Sequence, residues 1–189
     1  MNITSRRPRF LSRDIFAGAL LLSLPLVIGA AQGAAPVVTA RTVLASDAAH
    51  AGSSVKAAVV AEIPPGYHIN ERKPTLDYLI PTELKLEPTK ELVPEKSVYP
   101  KGELKKFAFA DTALSVYEGK FVVGTVLKVE PHVAPGTYNI RGKLSYQACN
   151  DRACFPPKSV PVSLAVKVVP RGVPLRRVNA DVFNKIQFE

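Results

Sequence analysis

Short apolar runs, set apart by turn residues, make up most of the chain. Lys120-Phe121-Val122-Val123-Gly124-Thr125-Val126-Leu127-Lys128-Val129 places Phe121, Val123, Leu127 and Val129 at alternate positions, and residues 138–144 alternate in the same way. Alternation at a period of two sends successive side chains to opposite faces of a sheet. Similar runs occupy residues 37–44, 55–63, 79–86, 96–99, 114–117, 136–146 and 160–169. Between them stand Pro64-Pro65-Gly66, Pro100-Lys101-Gly102, Glu118-Gly119 and Ala134-Pro135-Gly136, which are turn chemistry. Strands this short at this spacing predict an all-β sandwich or barrel. Beyond the N-terminus no stretch carries a helical period and no repeat is evident. The 17 prolines agree, since each costs about 3 kcal/mol inside a helix. Residues 170–189 lose the alternation and read as a tail lying loosely on the sandwich.

Residues 1–33 follow a different pattern. Arg6, Arg7, Arg9 and Arg13 precede an apolar stretch, 15–28, and then the small-residue run Gly29-Ala30-Ala31-Gln32-Gly33-Ala34. This three-part order is that of a secretory signal peptide. The expected layout is a signal at 1–33, one domain at 34–169 and the tail at 170–189, in keeping with a 189-residue chain. An uncleaved membrane anchor is the alternative, although the apolar stretch is shorter than the roughly 20 residues of a membrane span. Export brings cysteines into a compartment where disulfides persist.

The net charge is +9, but the cations Lys101, Lys105, Lys106, Arg171, Arg176 and Arg177 are scattered. A nucleic-acid reader needs a dense basic stripe on a matching fold, so no nucleic-acid partner is expected. The chain has two cysteines, Cys149 and Cys154. On an extended strand they would stand roughly 16 Å apart, whereas a disulfide needs Cα atoms about 4.4–6.8 Å apart. The chain must therefore turn back between them, and Asn150-Asp151 suits a turn. The pair is expected at an exposed hairpin tip. A structural bridge and an exchanging pair both fit that spacing. A small loop gains little entropic stabilisation from closure, and an exposed bridge suits exchange. Zinc would need two further ligands, and His50, His68 and His132 show no ligand spacing, so no metal is expected.

The residues around the cysteines carry more. Tyr146-Gln147-Ala148-Cys149-Asn150-Asp151-Arg152-Ala153-Cys154-Phe155-Pro156-Pro157 resembles the active-site hairpin of the N-terminal domain of the DsbD thiol:disulfide interchange family. That hairpin reads Tyr-Gln-x-Cys-x-Asp, a short spacer, then Cys, an aromatic residue and two prolines. Gly66-Tyr67-His68-Ile69-Asn70 resembles a family strand end. Tyr99-Pro100-Lys101-Gly102, Phe107-Ala108-Phe109-Ala110-Asp111 and Val116-Tyr117-Glu118-Gly119 resemble its cap-loop region. The likeness covers residues 37–169. Lys105-Lys106 stands where the family carries an acidic pair ahead of the cap aromatic.

The resemblance implies an immunoglobulin-like sandwich whose redox pair is Cys149 and Cys154, with no cofactor. Phe109, or in second place Phe107, would be the cap aromatic. Tyr67, His68, Asn70, Tyr146, Gln147, Asp151, Phe155 and Pro156 would support the pair. Cys154 would attack the oxidised partner, and His68, with an ordinary pKa near 6.5, is a group able to take a proton. The implied setting is the periplasm, with thioredoxin-like partners, a membrane electron carrier and a link to cytochrome c maturation. The chain carries neither the membrane part nor the thioredoxin domain of full-length DsbD, so a detached monomeric relay module is expected. The competing expectation is a non-catalytic exported immunoglobulin-like binding or assembly module with a structural disulfide.

Overall fold

The computed structural model describes residues 38–188; the expected signal segment, residues 1–33, lies outside them. Twelve strands and one helical turn follow in chain order among the described residues: β1 (Thr39–Leu44), β2 (Ala49–His50), β3 (Ser54–Glu62), β4 (His68–Asn70), β5 (Glu83–Leu86), β6 (Leu92–Pro94), β7 (Glu103–Lys105), β8 (Leu114–Tyr117), β9 (Lys120–Val129), β10 (Gly136–Tyr146), β11 (Ala148–Cys149), β12 (Lys158–Val169) and α1 (Ala180–Phe183). They form three sheets, in the orders β1-β3-β9-β6, β2-β12-β10-β5 and β11-β4-β8-β7. The first two stack as the layers of a sandwich, and the third sits at one end.

The period-two runs explain the stacking. Along β12, Val162, Leu164, Val166 and Val168 are buried while Ser163, Ala165 and Lys167 are exposed. β10 pairs with β12 from Gly136↔Val168 to Tyr146↔Lys158, which brings Ile140 and Leu144 onto the same inner face. Facing them are Val55, Ala57, Val59 and Ala61 of β3 with Phe121, Val123, Leu127 and Val129 of β9. Burial of this kind contributes about 25 cal/mol per Å² of apolar surface, making it the main favourable term. The third sheet joins the same core through Ile69, Tyr117 and Ala148. The Tyr146 hydroxyl, deep in that core, accepts a hydrogen bond from the Val38 backbone N–H at 3.1 Å and ties the start of the domain to β10.

The fold is the expected all-β sandwich, but two strand assignments shift. Of the run 79–86 only Glu83–Leu86 pairs, because Pro81 interrupts the ladder before it. The run 96–99 contributes a single bridge, Val98↔Gly124, and the strand lies earlier at Leu92–Pro94.

The tail is more closely engaged than a loose lead-out. Val182 is buried against Ala58 and Val60 on the outer face of β3. A Cβ on Gly124 would stand 2.8 Å from Ile186 Cγ2, so this glycine lets the tail approach β9 closely. Asn179, at φ 54°, donates its side-chain amide to the Leu44 carbonyl at 2.8 Å. Arg176 donates its backbone N–H and guanidinium to Asp47 at 3.0 and 2.8 Å, and these bonds hold the Asp47 carboxyl below its ordinary range. Tail coverage explains why Ala57 to Ala61 is buried at every position rather than at alternate ones.

Gly142 tests the junction of β5 and β10. A Cβ there would lie 2.1 Å from the Lys85 carbonyl oxygen and 2.8 Å from the Leu86 Cα. Gly142→Ala is expected to force β5 outward and destabilise the domain by about 1–3 kcal/mol. The measurement is a lowered urea midpoint with the slope of the transition retained.

Candidate functional site

β10 and β12 part company at Tyr146 and Lys158, and the chain between them makes a short excursion that adds a strand to the third sheet. After Gln147, its next two residues form β11. There Ala148 faces Ile69 and Cys149 faces His68 across an antiparallel pair. The chain then reverses. Asn150 donates its N–H to the Ala153 carbonyl, and its side-chain oxygen accepts from the N–H groups of Arg152 and Ala153, all at 2.9 Å. This is the Asx-type capping that suits asparagine to a turn. Phe155 returns its N–H to the Ala148 carbonyl at 2.8 Å. Cys149 and Cys154 thereby become bridge partners with Cα atoms 3.9 Å apart and are joined by a disulfide.

Side chains brace this turn from both arms. The Gln147 amide donates to the Phe155 carbonyl at 3.2 Å. Its oxygen accepts from the Asn70 amide and from the Ile80 N–H, each at 3.4 Å. Asn70 also donates to the Ile80 carbonyl at 2.9 Å, and Thr82 donates its hydroxyl to the Asn70 carbonyl at 2.6 Å. Tyr67 lies against Phe155 with ring centroids 5.9 Å apart.

The two cysteines differ in access. Cys149 is 1% exposed, whereas Cys154 lies at the surface. The expectation of an exposed pair therefore holds for one cysteine and fails for the other. Pairing of β11 with β4 holds Cys149 in the third sheet, where it is buried, while Cys154 emerges on the outer arm of the turn.

The hairpin of β7 and β8 carries the aromatic pair. Phe107 stacks on the His68 ring with centroids 4.1 Å apart, and Phe109 stacks on Phe107 at 5.4 Å. Phe109, 41% exposed, lines a cavity of about 290 Å³ with Tyr78, Leu79, Leu114, Gln147 and Cys154. The first-choice cap aromatic thus stands beside the accessible cysteine, and the second choice covers His68. Lys105, at the position of the family's acidic pair, forms ion pairs with Glu118 and, at 4.0 Å, with Glu103. This holds the base of the hairpin. A larger cleft of about 730 Å³ between β5 and the 94–101 segment contains neither cysteine.

His68 is 3% exposed, and its Nε2 finds no hydrogen-bond partner among the described residues. Burial lowers its pKa below 6.5; the nearby Glu118 carboxylate works against this and Lys105 works with it. Asp151 is exposed and shares a cavity of about 180 Å³ with Tyr67, His68, Phe107 and Glu118. Tyr146 lies in the core beneath the site, and Pro156 is exposed after the second cysteine. Tyr117 donates its hydroxyl to the Pro100 carbonyl at 2.9 Å, and burial pushes its pKa up to about 12. Sequence reasoning missed Tyr78, Leu79 and Leu114 as walls of the cysteine cavity. The available signal was Tyr78 itself, an aromatic residue in a stretch with no strand period. No group of three potential metal-ligating side chains occurs among the described residues.

A sequence model of the family described as "Thiol:disulfide interchange protein DsbD, N-terminal" matches residues 34–165. The chain belongs to this family. Membership in the DsbD N-terminal family decides between the readings that cysteine spacing left open: the pair serves thiol–disulfide exchange on an immunoglobulin-like domain. Among solved structures, the chain is similar to the Neisseria meningitidis DsbD N-terminal domain in its reduced form. The two are 22% identical, over 66% of this chain and 86% of that one, with a TM-score of 0.39. The N-terminal periplasmic domain of ScsB from Proteus mirabilis is 16% identical over 69% of this chain, which spans 46% of that one, with a TM-score of 0.45. The complex of the Neisseria meningitidis DsbD and PilB N-terminal domains matches 64% of this chain and 79% of that one at 22% identity and a TM-score of 0.35. No curated protein matches the chain.

The buried histidine gives a signed pH prediction. The unfolded ring titrates near 6.5 and the folded ring lower, so the unfolded chain binds more protons in between. The stability tied to neutral His68 is complete above 6.5 and is lost as pH falls from there to the folded pKa. Urea midpoints measured between about pH 5 and 8 should fall more steeply with acidification in the wild type than in His68→Gln.

Proposed function

We propose that this domain is a periplasmic relay that exchanges reducing equivalents with thioredoxin-like partners, entering and leaving through Cys154. The carrying observation is the difference in access: Cys154 opens into the cavity beside Phe109, and Cys149 is buried behind it. A thiolate must approach a disulfide sulfur along the S–S axis, and access decides which sulfur is attacked. A reducing partner attacks Cys154 Sγ, and the S–S bond breaks. Cys149 leaves with the electron pair, and the partner's second thiol releases the domain as a dithiol. In the opposite half-cycle, Cys154 attacks the oxidised partner and Cys149 resolves the mixed disulfide. Phe109 shields Cys154 until docking moves the hairpin tip.

Family membership and the signal pattern at 1–33 support the periplasmic setting. No helix among the described residues is long and apolar enough to cross a membrane. The relay draws electrons from a membrane carrier, acts as a monomer and supplies thioredoxin-like proteins such as those of cytochrome c maturation. Its layout is a signal at 1–33, a working domain at 34–169 and a tail at 170–189.

Two experiments test this reading. Cys149→Ala should accumulate a mixed disulfide with a thioredoxin-like protein on non-reducing gels, and Cys154→Ala should not. The reverse pattern assigns attack to the buried cysteine, while absence of trapping by either variant, with a reduction potential below about −300 mV, marks a structural bridge. Phe109→Ala should make the oxidised domain several-fold more rapidly reduced by dithiothreitol while leaving its melting temperature little changed, because that ring is 41% exposed.

A further inference from the structure

Cys149 poses a chemical problem that Cys154 does not. To resolve a mixed disulfide it must lose its thiol proton, yet it is 1% exposed, and burial disfavours a thiolate. Water is therefore a poor acceptor, and the acceptor has to be a neighbouring side chain. His68 meets the requirement on geometry. It faces Cys149 directly across the β4–β11 pair, where side chains share one face with Cβ atoms about 4.5–5.5 Å apart. It is 3% exposed, and its Nε2 has no hydrogen-bond partner among the described residues. A buried polar atom left unmatched costs about 1–3 kcal/mol, and such atoms in native structures call for an explanation. The Phe107 ring, 4.1 Å away, fixes the imidazole and shields one of its faces.

We infer that His68 takes the thiol proton of Cys149 as Cys149 closes on the mixed disulfide held at Cys154. This rests on the exchange reading above and adds the proton's destination to it. In the step, the Cys149 Sγ–Cys154 Sγ bond forms and the bond from Cys154 Sγ to the partner sulfur breaks. The partner sulfur leaves with the electron pair as a thiolate. Cys149 is oxidised and the partner sulfur is reduced, so the mixed disulfide is itself the oxidant. The proton passes from Cys149 to the His68 ring. It then leaves through the cavity that His68 shares with Asp151 and Glu118. The charged groups facing this ring are Glu118, Lys105 of the β7–β8 hairpin and Asp151 of the cysteine turn. Burial lowers the His68 pKa, which keeps the ring neutral and ready to accept at neutral pH.

The test uses the reduced full chain and 5,5′-dithiobis(2-nitrobenzoate) in stopped flow. The accessible Cys154 releases one nitrothiobenzoate in a first phase, and ring closure by Cys149 releases a second. His68→Gln should slow the second phase on the order of tenfold near neutral pH, less than a fully aligned general base provides because some thiolate is always present. The first phase should stay unchanged. The wild-type second phase should also show an inflection below 6.5 that the variant lacks. An unchanged second phase in His68→Gln overturns the inference, as does a slowing equal at every pH with the inflection retained. Where circular dichroism shows that the variant does not fold, the wild-type profile decides: a second phase that follows a single thiol ionisation overturns the inference. If no second nitrothiobenzoate is released from the wild type, the exchange reading itself falls and this inference with it.

Discussion

The pairing of Ala148 and Cys149 with Ile69 and His68 is the contact on which the site depends. It is two residues long, too short to persist alone, and it survives because Ile69 and Ala148 are also core residues of the sandwich. Hydrophobic burial, which is strong but without direction, thus anchors a backbone ladder that does have direction. Everything specific about the cysteines follows. The pairing hides one sulfur, leaves the other on the outer arm, and sets the histidine opposite the hidden one.

The polar network around this pairing works as bracing. Gln147, on one arm of the cysteine turn, bonds Phe155 on the other arm, Asn70 of β4 and Ile80, so three separated stretches of chain share one side chain. The aromatic hairpin is held differently, by the ion pair of Lys105 with Glu118 at its base and by ring stacking at its tip. Exposed ion pairs contribute little stability and weaken in salt. The tip also closes on local bonds, from the Ala110 N–H to the Phe107 carbonyl and from Lys106 to the Asp111 carbonyl.

Much of the sandwich was legible because its long strands are half-buried. Residues 114–117, 120–129 and 136–146 appear as strands with the bounds that alternation indicates. Apart from β8, the third sheet was hidden in the sequence for the opposite reason. β4, β7 and β11 span three, three and two residues, less than the period-two signal needs to register. The cysteines and their flanking motif pointed to the site, and Phe109 lines a cavity with Cys154 while Phe107 stacks on His68. The unequal burial of the two cysteines was illegible, since it arises from a tertiary pairing of distant segments. The uninterrupted burial of residues 57–61 has the same kind of cause, namely Val182 and Ile186 lying across the outer face of the sheet.

The turn between the cysteines closes on its own hydrogen bonds, from Asn150 to Ala153 and from Phe155 to Ala148. With Cα atoms 3.9 Å apart, the two cysteines are backbone bridge partners as well as disulfide partners. The shape of the turn is thus set by main-chain and Asn150 hydrogen bonds that are separate from the S–S link.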